Sequence, residues 1–107
     1  MDVKRVEENG VAIFSVNGEI NIGTSPELRK QFEKSPAKKV VVDLEKVNYI
    51  DSSGLATLVE ILKKTKSQGG SLGLAGMSDK VRSLFEITKL DKLFAIYADR
   101  NEAVTKA

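Results

Sequence analysis

Residues 47–65 read VNYIDSSGLATLVEILKKT, and the period of their apolar residues changes midway. A strand-like run ends at Ile50. From Leu55 the spacing turns helical: Leu55, Leu58, Val59 and Leu62 fall on one stripe, while Glu60, Lys63 and Lys64 fall outside it. Asp51, Ser52, Ser53 and Gly54 lie between. Just upstream, KKVVVDLEKV places Val40, Val41 and Val42 in a row, the pattern of a strand buried on both faces. A strand of that kind running into a helix belongs to a β-α-β unit and a parallel sheet.

The rest of the chain repeats the alternation. Asn9-Gly10 is a hairpin dipeptide between two short strands, and the second has apolar residues on both faces, as an interior strand does. TSPELRKQFEKS predicts a helix, with Leu28 and Phe32 on one side. Thr24 or Ser25 caps it, Pro26 suits its first turn, and Glu27 completes a capping box with Thr24. Gly69-Gly70 ends the helix that begins near Ser52. SLGLAGM predicts a strand. SDKVRSLFEITKL predicts a helix capped by Ser78, with Val81, Leu84, Phe85 and Thr88 along one side. LFAIYA predicts a last strand, and DRNEAVTKA a short helix with an Asp99/Glu102 capping pattern. The order β-β-α-β-α-β-α-β-α gives an α/β fold: one domain over residues 1–107, with a mixed, mostly parallel sheet and about four helices.

Composition narrows the chemistry. The 107 residues include no cysteine and no histidine. Disulfides, thiolate metal sites and every Ser-His or Cys-His nucleophile pair are therefore absent. Net charge is +2, from 17 basic and 15 acidic residues that are interspersed, which does not suggest direct nucleic-acid binding. No apolar run is long enough to span a membrane and the start does not resemble a signal peptide, so a cytoplasmic location is expected. The glycines of QGGSLGLAGM fit no phosphate-binding motif and read better as turn and packing residues. Asp43, Glu45 and Asp51 surround the central strand, but their spacing marks neither a metal ligand set nor a catalytic pair. No cofactor and no catalytic residue is expected.

The turn at 51–54 holds more polar chemistry than a helix start needs. Asp51 or Ser52 alone would cap the helix. A second hydroxyl and a glycine remain, at the end of a strand where open α/β sheets place their ligands. A helix N-terminus favours negative charge, so phosphate on either serine would be tolerated there. It would add about −1.5 to −2 charge to the surface on which a partner docks. Extending the helical wheel back from Leu58 turns Ser53 away from the apolar stripe and favours Ser53 on exposure. The first turn fits such a wheel loosely, and spacing leaves Ser52 and Ser53 both open.

With these residues in place, the sequence resembles the STAS-domain family, and within it the bacterial anti-sigma factor antagonists. The resemblance covers essentially the whole chain. It rests on VVVDLEKVNYIDSSGLATLVEILKKTK, on VNGEINIGTSPELRKQF and on GGSLGLAGMSDKVRSLFEITKLDKLFAIYADRNEAV. It implies a four- or five-stranded sheet with helices mainly on one side, and a partner-switching cycle. An unphosphorylated antagonist binds an anti-sigma factor that is also a serine kinase, so sigma factor is released. The kinase uses ATP to phosphorylate the antagonist, which lets go, and a metal-dependent serine phosphatase restores it. The resemblance places phosphate on the first hydroxyl after the aspartate, Ser52, with Ser53 as the alternative. Asn21, Gly23, Thr24, Asp51, Ser53, Gly54 and Thr57 would then line the partner-binding surface, Gly54 letting a partner backbone approach. One departure is Gly18-Glu19-Ile20-Asn21, where the family usually carries Gly-Glu-Leu-Asp. Two other readings stand beside the switch: a constitutive STAS scaffold in which Ser52 is only a cap, and a STAS domain that binds a small ligand or nucleotide.

Overall fold

The computed structural model describes residues 1–107. Five strands form one sheet in chain order: β1 (Asp2–Glu8), β2 (Val11–Ile20), β3 (Lys39–Ile50), β4 (Ser71–Ala75) and β5 (Ala95–Tyr97). β1 and β2 are antiparallel, and the remaining neighbours are parallel. The hairpin turns at Asn9 and Gly10, both at positive φ (52° and 79°), as a type I′ turn requires and as this dipeptide permits. The helices are α1 (Ser25–Lys34), α2 (Ser52–Ser67), α3 (Asp79–Ile87) and α4 (Arg100–Lys106).

Chain-order parallel strands constrain the helices. Each link from one parallel strand to the next is a crossover, and crossovers are almost always right-handed. Links that all step the same way across the sheet therefore deposit α1, α2 and α3 on the same face. The core bears this out. Leu28 and Phe32 of α1, Leu58, Ile61 and Leu62 of α2, and Val81 and Phe85 of α3 form one cluster with Ala12, Phe14, Val40, Val42, Leu72 and Leu74. The opposite face would lie open, but α4 covers part of it: Ala103 and Val104 pack on Val11, Ile13, Val41 and Ala75. The consecutive valines of β3 thus serve both faces, Val40 and Val42 one and Val41 the other.

Where α4 does not reach, the second face turns polar. Asp43 is buried there, and Arg100 at the start of α4 binds it at 3.1 Å and also donates to Ser15 Oγ. An Asp in the middle of a buried strand is tolerable because its charge is paired and its other oxygen accepts the Glu45 amide at 3.0 Å.

Several expected details differ. The buried side of α2 consists of Leu55, Thr57, Leu58, Ile61, Leu62 and Thr65, with Val59 only half-buried, so the stripe is rotated from the expected one. On α3, Val81 and Phe85 are buried, Leu84 is half-buried and Thr88 is exposed. The last strand is shortened to three residues because a 3₁₀ turn at Leu90–Lys92 occupies the preceding chain. The Thr24/Glu27 capping box does not form. Thr24 already has helical backbone angles (φ −104°, ψ −19°), and its hydroxyl donates back to the Glu19 carbonyl at 2.8 Å.

Leu58 has no exposed surface and lies where α2 meets the sheet. Leu58→Ala is expected to lower unfolding stability by about 2–5 kcal/mol, seen as a reduced urea midpoint at an unchanged slope. Ile22→Ala, at a residue 75% exposed, is expected to stay within about 0.5 kcal/mol of the parent chain.

Candidate functional site

β2 and β3 end side by side, with Ile20 opposite Ile50, so their two following loops emerge together at the carboxyl edge of the sheet. This is the edge at which parallel α/β sheets present their sites. The ladder continues one step further, where the Asp51 amide donates to the Ile20 carbonyl at 3.1 Å. Asp51 then divides its carboxylate between the loops. One oxygen accepts the Gly54 amide at 2.9 Å and caps α2, and the other accepts the Ile22 amide at 3.1 Å. Of the two capping candidates, Asp51 is the cap.

The neighbouring loop is fixed mainly from within. Asn21 Oδ1 accepts the amides of Gly23 (2.9 Å) and Thr24 (3.1 Å), an Asx turn that leads the chain into α1. Its Nδ2 donates to Glu19, and the Asn21 amide donates to Thr24 Oγ1 at 2.9 Å. The accepting work of residue 21 needs only a carbonyl-type oxygen. Asparagine supplies that oxygen and leaves the loop without an additional negative charge.

The two serines are placed differently from the wheel reading. Ser52 is the first helical residue and is exposed, whereas Ser53 is half-buried. The helix starts at Ser52 after an extended Asp51 (φ −96°, ψ −176°), which turns Ser52 outward and Ser53 toward α1. Gly54 is buried, and the close approach it allows is internal. A Cβ at this position would lie 2.4 Å from the Ile20 carbonyl oxygen and 2.8 Å from Ile50 Cγ2. Thr57 is also buried, 2% exposed, with Arg29 Nη2 at 3.4 Å from its hydroxyl. Gly54 therefore shapes the site from beneath, and Thr57 contributes only to the floor of the groove between the two helices. Asn21 and Thr24 are half-buried and Gly23 is exposed.

Other residues of the site carried no sequence signal of their own. Ile22 stands 75% exposed at the tip of its loop. Arg29 of α1 and Glu60 of α2 are joined at 2.5 Å. A shallow groove of about 380 Å³ runs between the starts of the two helices, with Ile22, Pro26 and Arg29 on one bank and Ser53, Ala56 and Glu60 on the other. Ser25 lies in it with its Oγ buried and without a hydrogen-bond partner. An isoleucine set between Asn21 and Gly23 is the one hint the sequence offers, because apolar side chains are unusual in a turn of that composition. The glycines of 69–76 serve turn and packing: Gly69 turns the chain at positive φ, a Cβ at Gly70 would meet the Lys38 carbonyl oxygen at 2.2 Å, and one at Gly73 would meet the Tyr97 ring at 2.8 Å.

The STAS domain family model matches residues 2–103. The anti-sigma-B factor antagonist of Bacillus subtilis is 35% identical over 100 residues, covering 92% of this chain and 90% of that protein. The anti-sigma-B factor antagonist of Listeria monocytogenes is 34% identical, covering 90% and 86%. The crystal structure of an anti-sigma factor antagonist from Mycobacterium paratuberculosis superposes with a TM-score of 0.88 at 28% identity, over 98% of this chain and 92% of that one.

Two substitutions test the geometry. Asp51→Ala removes the cap and the tie between the loops together. It is expected to cost about 1–2 kcal/mol and to accelerate hydrogen exchange at the Ile22 amide, while Asp51→Asn, which keeps an acceptor, costs less. Gly54→Ala is expected to cost about 1–3 kcal/mol, because its methyl must displace strand backbone. Unchanged urea midpoints for Asp51→Ala and Gly54→Ala would contradict this arrangement.

Proposed function

The chain belongs to the STAS-domain family, and on that footing we propose that it is an anti-sigma factor antagonist whose docking is governed by phosphate on Ser52. The observation that carries the reading is the exposure of Ser52 at the first position of α2, next in sequence to Ser53, which lines the groove with Ile22, Pro26 and Ala56. The cap of α2 is Asp51, so Ser52 is not needed to start the helix, which weighs against the reading of Ser52 as a cap in a constitutive scaffold.

The mechanism follows from charge and desolvation. Unphosphorylated, Ser52 presents an uncharged hydroxyl beside a partly apolar surface. An anti-sigma factor docks over it, burying Ile22 as an anchor. Aliphatic and aromatic anchors in the centre of an interface carry much of the binding energy. Sigma factor is released as the anti-sigma factor is occupied. The anti-sigma factor, acting as a serine kinase, transfers the γ-phosphoryl group of ATP to Ser52 Oγ; the hydroxyl proton is lost and ADP leaves. The dianion stays compatible with α2, whose N-terminus favours negative charge. It is incompatible with a partner shaped for a hydroxyl, since a charge left unpaired in an interface costs about 2–5 kcal/mol, roughly 30-fold or more in affinity. A serine phosphatase returns the chain to its binding form by hydrolysing the phosphoester. ATP and any metal belong to these partners.

Incubation with the cognate anti-sigma kinase and ATP is expected to add one phosphate, and tandem mass spectrometry to place it on Ser52. Phosphate on Ser53 would move the acceptor by one residue, and none at all would favour the scaffold. In binding measurements Ser52→Ala should retain the affinity of the unmodified chain and Ser52→Asp should bind at least about tenfold more weakly. Equal affinity of the two variants would remove the electrostatic mechanism. Ile22→Ala is expected to weaken docking about tenfold or more without loss of fold.

A further inference from the structure

One of the sheet's two free edges, β1, has a charge order that matches itself. β1 pairs with β2 alone, so one side of its seven-residue backbone is open. Exposed edges usually carry charge that blocks pairing with other strands. Four of residues 4–8 are charged, Lys4-Arg5-Val6-Glu7-Glu8, and all five are exposed. Their order decides between a blocked edge and a complementary one.

Let two copies lie antiparallel with Val6 opposite Val6. Lys4 then faces Glu8 and Arg5 faces Glu7, and two-fold symmetry repeats each pair. Every charged residue of the segment meets one of opposite sign. The register is also selective. A one-residue slip would bring opposite faces of the two strands together, so slips come in twos. A slip of two in one direction sets Glu7 on Glu7, and in the other Arg5 on Arg5; directly opposed like charges oppose pairing. The two faces divide the contacts cleanly. Arg5 lies over the Phe14 ring, 5.9 Å from its centroid, and binds Glu7 at 3.0 Å, so these two share the face that carries α1, α2 and α3. Lys4, Val6 and Glu8 point to the other face, and Val6 is 44% exposed at the centre of the row.

We propose that β1 is a contact between copies of this chain: two molecules join antiparallel across it, aligned on Val6, into a continuous ten-stranded sheet. A pair of edge strands buries little area, so the dimer belongs to the weak, reversible class. Its charge pairs are exposed, so salt weakens it. The proposal does not depend on the phosphate switch.

Sedimentation equilibrium of the intact chain from about 10 μM to 1 mM is expected to show reversible dimerisation that weakens as salt rises from about 50 to 500 mM. The double variants Lys4→Glu/Arg5→Glu and Glu7→Lys/Glu8→Lys each make residues 4–8 single-signed, and each alone is expected to associate at least about tenfold less. Mixed in equal amounts, they regain complementary signs at all four positions and are expected to form a heterodimer about as stable as the parent dimer. A parent chain monomeric throughout that range, a dimer that survives in either double variant, or folded variants that fail to pair when mixed would each overturn the proposal. If removing Arg5 from Phe14 disturbs the fold, Lys4→Glu and Glu8→Lys alone give the same test on the other face.

Discussion

The site depends on one carboxylate shared between two loops. Asp51 takes the amide of Gly54, three residues ahead, and the amide of Ile22, 29 residues behind. The first contact starts α2 and the second ties the loop before α1 to the loop before α2. The sharing is possible only because β2 and β3 are parallel neighbours that end level, Ile20 beside Ile50. The same constraint makes residue 54 a glycine. With the loops drawn this close, the start of α2 lies against the end of β2, and any side chain there would meet the Ile20 carbonyl. The proposed partner surface is thus built on elements locked from beneath, with the side chains of Ser52 and Ile22 exposed above the lock.

How much of this was legible in the sequence depended on the range of the interaction. The valine run of β3, the Asn9-Gly10 turn and the Asp99 cap are local and emerged as expected. The mostly parallel sheet with its one antiparallel hairpin followed from the alternation of strands and helices, the placement of the helices mainly on one face from the family resemblance, and the chain order of the strands was seen only in the structure. The failures were at helix starts and in contacts between loops. The Thr24/Glu27 pair has the letters of a capping box, but Asn21 takes the Thr24 amide that Glu27 would accept, and turns the chain earlier. The wheel drawn back from Leu58 failed at Ser52 and Ser53 because an ideal wheel does not describe a first turn whose orientation is set by an extended cap residue. Arg29 and Glu60 were invisible for another reason: with Ile22 they form one surface only after α1 is laid against α2.

Asparagine at position 21 changes little in geometry and more in charge. Its oxygen makes the turn that an aspartate would make, and its amide adds a donor toward Glu19. The difference bears on the proposed switch. A permanent carboxylate on the neighbouring loop would reduce the contrast between the free and phosphorylated surfaces, because a partner adapted to one negative charge is less disturbed by more. With Asn21 neutral and the Asp51 oxygens both engaged by amides, the charge that changes most near Ser52 is the phosphate itself. Discrimination between the two states then rests on a single reversible group.

The two faces of the sheet set limits on where regulation can act. Three helices on one face give the core its depth, and the opposite face is closed only by the seven residues of α4 and by the Arg100 contact with Asp43 and Ser15. A partner that pressed on α4 would act on the less deeply packed side, where fewer apolar residues resist displacement. The loop surface at Ser52 adjoins the deeper side, with Leu55 and Leu58 of the same helix buried directly behind it. In the proposed switch, docking there would meet a well-packed platform, so little binding energy would be spent on ordering the chain and most of the affinity difference between the two states could be set by charge. A charge-operated switch works best on a surface that does not yield, because a compliant loop would swing the phosphate into water and blunt its effect.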